Sequence, residues 1–126
     1  MADQTNIQLK DLEEESFLIR EEGSGTRLVM LRMFEDAGIS PRIGMEVGNN
    51  ESVKQAVMAG LGVALISAHT VAAELKEGRL KAFDIEGLPV MRKWLLVRHS
   101  DIELAPAAEA LHQFFIDSGV NYFPEC

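Results

Sequence analysis

A short apolar run, Phe17-Leu-Ile-Arg20, passes through two acids into Gly23-Ser24-Gly25-Thr26-Arg27, and apolar residues then recur at helical spacing. This stretch constrains the fold more than any other. Its opening run has the length of a buried strand, not of a helix. The glycines mark a turn. Met30, Met33, Phe34 and Ala37 then fall at i, i+3, i+4 and i+7, one face of a helix over Leu28 to Ala37. Gly38 stands where a helix-ending glycine belongs. A helix start presents backbone N–H groups without intrahelical partners and the positive end of the helix dipole. Glycines beside it let another group come close to the backbone. Ser24 and Thr26 add hydroxyls that either cap the helix or reach a ligand. Together this is the chemistry of an anion or carboxylate site.

The same unit recurs. Ile43, Met45 and Val47 alternate along Arg42 to Val47, as in a half-buried strand. Gly48-Asn49-Asn50 turns the chain, and Val53, Ala56, Val57 and Gly60 repeat the helical spacing. Val63 to Ile66 is apolar throughout, as expected of a strand covered on both faces. Ser67 to Lys76 predicts a third helix with Val71, Ala72 and Leu75 inward. Leu80 to Ile85 and Val90 to Arg98 predict two more strands, and Pro106 to Asp117 a last helix carrying Ala107, Ala110, Leu111 and Phe114. Ahead of the first strand, Leu9 and Leu12 can tuck a turn against the sheet, Glu13 to Glu15 is a solvated acid run, and Met1 to Asn6 is a polar lead.

This order predicts an α/β fold with a mainly parallel sheet, one antiparallel member, and flanking helices on both faces. In such sheets ligands sit beyond the carboxyl ends of the strands. Three loops gather there, Glu21–Arg27, Gly48–Ser52 and Ser67–Thr70, all rich in Gly, Ser, Thr and Asn. The candidate binding residues are Ser24, Gly25, Thr26, Arg27, Asn49, Asn50 and Ser67. Arg27 can pair with a ligand carboxylate or with Glu21.

Length and charge narrow the classes. At 126 residues the chain is one domain or one lobe of a larger one. A formal net charge of −8 argues against a nucleic-acid-binding surface, which needs clustered Lys and Arg; Arg20, Arg27, Arg32 and Arg42 could form a small local patch. Cys126 is the single cysteine, no signal-peptide pattern opens the chain, and no apolar run has the length of a membrane span, so a cytoplasmic location is expected. His69, His99 and His112 lack metal-ligand spacing, and neither a phosphate loop nor a complete dinucleotide fingerprint is present. Ser24 with His69 stays open as a nucleophile and base, but no Gly-x-Ser-x-Gly elbow supports it. No constellation carries catalysis, so a non-enzymatic role without cofactor or metal is expected.

Several motifs occur in order at family-like spacing. Phe-Leu-Ile-Arg-Glu-Glu-Gly-Ser-Gly-Thr-Arg (17–27), Ala59-Gly60-Leu61-Gly62-Val63-Ala64-Leu65-Ile66, Leu75-Lys-Glu-Gly78-Arg-Leu80 and the closing Ala107-Ala108-Glu-Ala-Leu111-His-Gln-Phe114-Phe115 resemble the effector domain of LysR-type transcriptional regulators. The resemblance covers about residues 8–119. It implies one lobe of a type 2 periplasmic-binding-protein-like fold: about 8–100 as the second subdomain and about 101–119 as the helix returning to the first. It implies a small, anionic effector held between two lobes, with Ser24 and Thr26 on one wall. The family's helix-turn-helix part is not expected within these residues, so neither is direct contact with nucleic acid. The wording Arg-Glu-Glu-Gly-Ser-Gly-Thr-Arg is most similar to regulators of carbon-fixation or sulfur-assimilation operons. The last helix then needs cover for Ala107, Leu111 and Phe114, from its own sheet or a second copy, so self-association is expected. Other readings are a fragment of a transport system's solute-binding protein, a small interaction protein pairing with full-length regulators, and a small α/β enzyme acting on an acid or phosphate.

Overall fold

Phe17–Arg20 forms β1 and Ile43–Val47 forms β2. They pair in parallel, with Ile19 opposite Glu46 and Arg20 opposite Val47. The computed structural model describes residues 7–122; the polar lead Met1 to Asn6 and the end of the tail, including Cys126, lie outside the described residues. The chain divides after Leu88 into two units.

In the first unit β1 is the centre. Successive side chains of a strand point to opposite faces, and all of Phe17, Leu18 and Ile19 are buried. Phe17 and Ile19 join Met30 and Phe34 of α1 (Gly25–Asp36), together with Ile7, Leu12 and Ile85. The Phe17 and Phe34 rings meet edge to face with centroids 5.0 Å apart, an arrangement that adds to their area burial. Leu18 faces the other way, toward the side where Val53 of α2 (Asn50–Met58) and Val71 of α3 (Ala68–Lys76) are buried. Helices therefore cover both faces of β1, and the α/β class with parallel pairing holds. The turn foreseen at Leu9 and Leu12 is a 3-10 helix, Leu9–Leu12, with Leu12 in the core.

The sheet is smaller than the sequence predicts. Val63 to Ile66 contributes one parallel rung: Leu18 N donates to Val63 O at 2.8 Å and Val63 N to Ser16 O at 2.9 Å. Leu80 to Ile85 touches extended chain at Ile85 alone, in a parallel bridge to Ile7. Val90 to Arg98 forms no strand, and the antiparallel member does not appear among the described residues. Apolar composition supplies a strand's faces but not its neighbour, and extended chain becomes sheet only where a second backbone runs beside it. Residues 90–98 fall in the second unit, where Met91 is 86% and Trp94 78% exposed. The alternating face of β2 is also open: Ile43 and Met45 are 45% and 44% exposed, and only Val47 is half-buried.

The helices follow the sequence closely. α1 begins three residues earlier than the apolar pattern, because Gly25, Thr26 and Arg27 form its first turn. α2 and α3 are tied by charge. Glu74 of α3, 6% exposed, accepts from Lys54 Nζ of α2 at 2.9 Å, and Arg79 Nη2 lies 3.6 Å from the same oxygen. The Lys54 hydrogen bond comes first among the causes that hold the Glu74 carboxyl below the usual range.

The second unit holds α4 (Pro106–Ser118), with proline in its first turn, and a 3-10 turn, Gly119–Tyr122. Phe114 packs against Phe115 and Tyr122, with ring centroids 5.9 Å and 5.3 Å away. No residue of α4 is buried, and Leu111 and Phe114 are exposed.

Candidate functional site

Parallel pairing of β1 with β2, and the parallel rung at Val63, place three helix starts at one edge of the sheet. These are the starts of α1, α2 and α3, each following the carboxyl end of an extended segment. The loops grouped by sequence do share that edge. An open pocket of about 330 Å³ lies at the start of α1, lined by Glu22, Gly23, Ser24, Gly25, Arg27, Leu28 and Leu31.

Ser24 is the N-cap residue of α1 by backbone geometry, yet its side chain makes no capping hydrogen bond. The first intrahelical bond runs from Leu28 N to Ser24 O at 3.1 Å, so the amides of Thr26 and Arg27 precede the helix's own ladder. Arg27, Ser24 and the start of the helix thus meet Leu28 and Leu31 in one wall, an arrangement that suits a small acid with an apolar body.

Two arginines stand behind this edge. Arg20, the last residue of β1, forks onto Glu21 through Nε at 2.6 Å and Nη2 at 2.7 Å, and its Nη1 donates to Asn50 Oδ1. The hydrogen bonds from Arg20 lower the Glu21 carboxyl to about 2, helped by the backbone of Glu21 and opposed by partial burial. Arg27 reaches across to β2, and its Nη1 donates to Glu46 Oε2 at 2.5 Å and to Arg20 O at 3.1 Å. Arg27 therefore pairs with Glu46, not with Glu21 as the sequence suggests. Glu21 is taken by its own neighbour, and the parallel register brings Glu46 level with Ile19.

Of the seven candidate residues, the structure gathers Ser24, Gly25 and Arg27 in the pocket wall. Thr26, in the first turn of α1, is not part of that wall. Asn49 caps α2 by accepting from Ser52 N at 2.8 Å. Asn50 holds Arg20. Ser67 begins α3 without a side-chain cap bond and stands apart from the pocket wall. Sequence reasoning missed Glu46, Leu28 and Leu31 as neighbours of the site. The position of Glu46 one residue before the carboxyl end of β2 was the available signal.

The LysR substrate binding domain family matches residues 1–119. The transcriptional regulator CbbR of Xanthobacter flavus is 56% identical over 116 residues, covering 91% of this chain and 35% of that protein. The RuBisCO operon transcriptional regulator of Allochromatium vinosum is 46% identical over 121 residues, covering 96% of this chain and 40% of that protein. The chain thus spans two-fifths or less of the length of these relatives. Among solved structures, the CcmR regulatory domain of Synechocystis PCC6803, in complex with 2-PG, superposes with a TM-score of 0.84 at 30% identity, over 95% of this chain and 58% of that one. The effector binding domain of QuiR, in complex with shikimate, shares the fold with a TM-score of 0.67 at 20% identity, over 98% of this chain and 57% of that one. By sequence and by fold, the chain belongs to the LysR substrate-binding domain family, the effector-sensing part of LysR-type transcriptional regulators.

Proposed function

We propose that the pocket at the start of α1 holds a small anionic effector of the 2-PG type, which the chain binds without chemical change. The observation that carries this is the wall itself. Ser24 carries no capping bond, Arg27 supplies a guanidinium, and the first-turn amides of α1 lie beside them. The 2-PG complex of the CcmR regulatory domain supports the ligand class. Asn49, Asn50 and Ser67, at the neighbouring helix starts, border the same edge. Residues from about 8 to about 100 act as the second lobe, and about 101–119 as the helix returning to the first. Closure of two lobes on the effector shifts a pre-existing equilibrium of the whole regulator. That regulator acts on a RuBisCO-type operon, a reading the name of the Allochromatium vinosum relative supports; it self-associates in the cytoplasm and contacts DNA outside these residues.

The test is a backbone-amide NMR titration of the chain with 2-PG, inorganic phosphate and sulfate. Saturable shifts clustered at residues 23–31 are expected, strongest for 2-PG. Ser24→Ala weakens 2-PG by about 1 kcal/mol, the scale of a lost hydrogen bond. It leaves thermal stability nearly unchanged, because no cap bond is lost. Absence of any shift at millimolar anion refutes the site, and a stability loss with unchanged affinity makes Ser24 a cap only.

A further inference from the structure

We propose that Glu46 is a built-in competitor at the anion site: it holds Arg27 in the empty chain, and the effector's anionic group replaces it there. This rests on the site assigned above.

The two arginines at this edge are occupied differently. Arg20 is saturated. Its Nε and Nη2 both reach Glu21, its Nη1 reaches Asn50, and the Glu21 carboxylate comes from the adjacent residue. An anion there would have to displace a two-point contact with an adjacent carboxylate, so Arg20 is an anchor. Arg27 lines the pocket, and the contacts that hold its guanidinium run through Nη1, to Glu46 and to the Arg20 carbonyl. Its Nη2 lies 4.0 Å from Glu22 Oε1, beyond hydrogen-bond length, and the Glu22 side chain is 90% exposed. A two-oxygen anion that grips the end of the planar guanidinium needs Nη1 and Nη2 together, so one oxygen lands on Nη2 and the other takes the Nη1 position now held by Glu46.

The two contacts of Nη1 have separate consequences. The Arg20 carbonyl belongs to the sheet backbone and cannot leave, so it keeps the guanidinium in place. Glu46 can leave, because its side chain is half exposed and has water to turn into. Ion pairs this exposed are weak, so a small anion can exchange with the carboxylate while Arg27 stays put. The result is a threshold. A ligand is held by Arg27 only if it outbids a carboxylate already present, which favours a phosphate dianion over a lone monocarboxylate.

The experiment measures 2-PG and inorganic phosphate affinity by amide NMR at low salt for the wild type, Glu46→Gln and Glu46→Asp. Glu46→Asp keeps the charge and shortens its reach, which separates the contact from the general field. Both variants are expected to bind 2-PG about threefold more tightly, the scale of one partly exposed ion pair. Binding by the variants where the wild type is silent also supports the proposal. Wild-type binding that neither variant tightens overturns the competitor and leaves the site intact. Tightening by Glu46→Gln alone reduces the effect to net charge and overturns it as well. No binding by any of the three refutes the site itself and the competitor with it.

Discussion

Gly60 and Gly62 bracket Leu61 in one short motif, and substitution by alanine is expected to act through a different mechanism at each. A Cβ at Gly62 would lie 2.1 Å from Ser16 O and 3.1 Å from Ser16 C, where real Cβ atoms essentially never come within 3.0 Å. The obstacle is backbone, so no rotamer change relieves it. The two segments must part, and they meet through the Leu18 N to Val63 O and Val63 N to Ser16 O bonds. Leu18 lies in the core. Losing two such bonds, with a buried group left unpaired, costs about 2–4 kcal/mol, a large share of the roughly 5–15 kcal/mol that holds a domain together. At Gly60 a Cβ meets nothing within 4 Å, and the only obstacle is φ of +76°, a cost of about 1–2 kcal/mol. Urea unfolding followed by far-UV circular dichroism measures both losses. Amide exchange identifies the mechanism: Gly62→Ala exposes the Leu18 and Val63 amides, while Gly60→Ala leaves them protected. Equal losses, or a protected Leu18 amide in Gly62→Ala, would refute the close-approach reasoning.

Phe34→Ala removes a ring that is 1% exposed and packed edge to face on Phe17; it is expected to cost about 3–5 kcal/mol, read from the urea midpoint. Glu21 titrates at about 2 in the folded chain against an ordinary 4.5. Its folded-state pKa is depressed, so its contribution to stability is complete above about pH 4.5 and is lost as pH falls through about 2. Carboxyl 13C titration checks this, and Arg20→Met is expected to bring the Glu21 midpoint back toward the ordinary range. Glu74→Gln weakens the tie to Lys54 and is expected to lower the urea midpoint and loosen α3 amides before those of β1, as seen by hydrogen exchange.

What was written in the sequence was local. The four residues of β1, the glycine turn after it and the apolar face of α1 are neighbours along the chain, and their spacing declares them without any partner. The starts of α2, α3 and α4 followed from turn residues and apolar period in the same way, each to within a few residues. Three of the seven candidate residues, Ser24, Gly25 and Arg27, came from that first turn and stand in the pocket wall. Everything that depended on a distant neighbour was decided by the tertiary structure. Val63 to Ile66 and Val90 to Arg98 have strand composition, yet one supplies a single rung and the other none, because pairing needs a second backbone alongside. Asn49 and Asn50 look like ligand groups in sequence and are spent on a helix cap and on Arg20. The partner of Arg27 could not be read locally either. It is Glu46, nineteen residues away, brought level by a parallel register that no one-dimensional pattern encodes. Periodicity is a property of a segment and survives in the sequence, whereas register and charge pairing belong to the space between segments and exist only once the chain has folded.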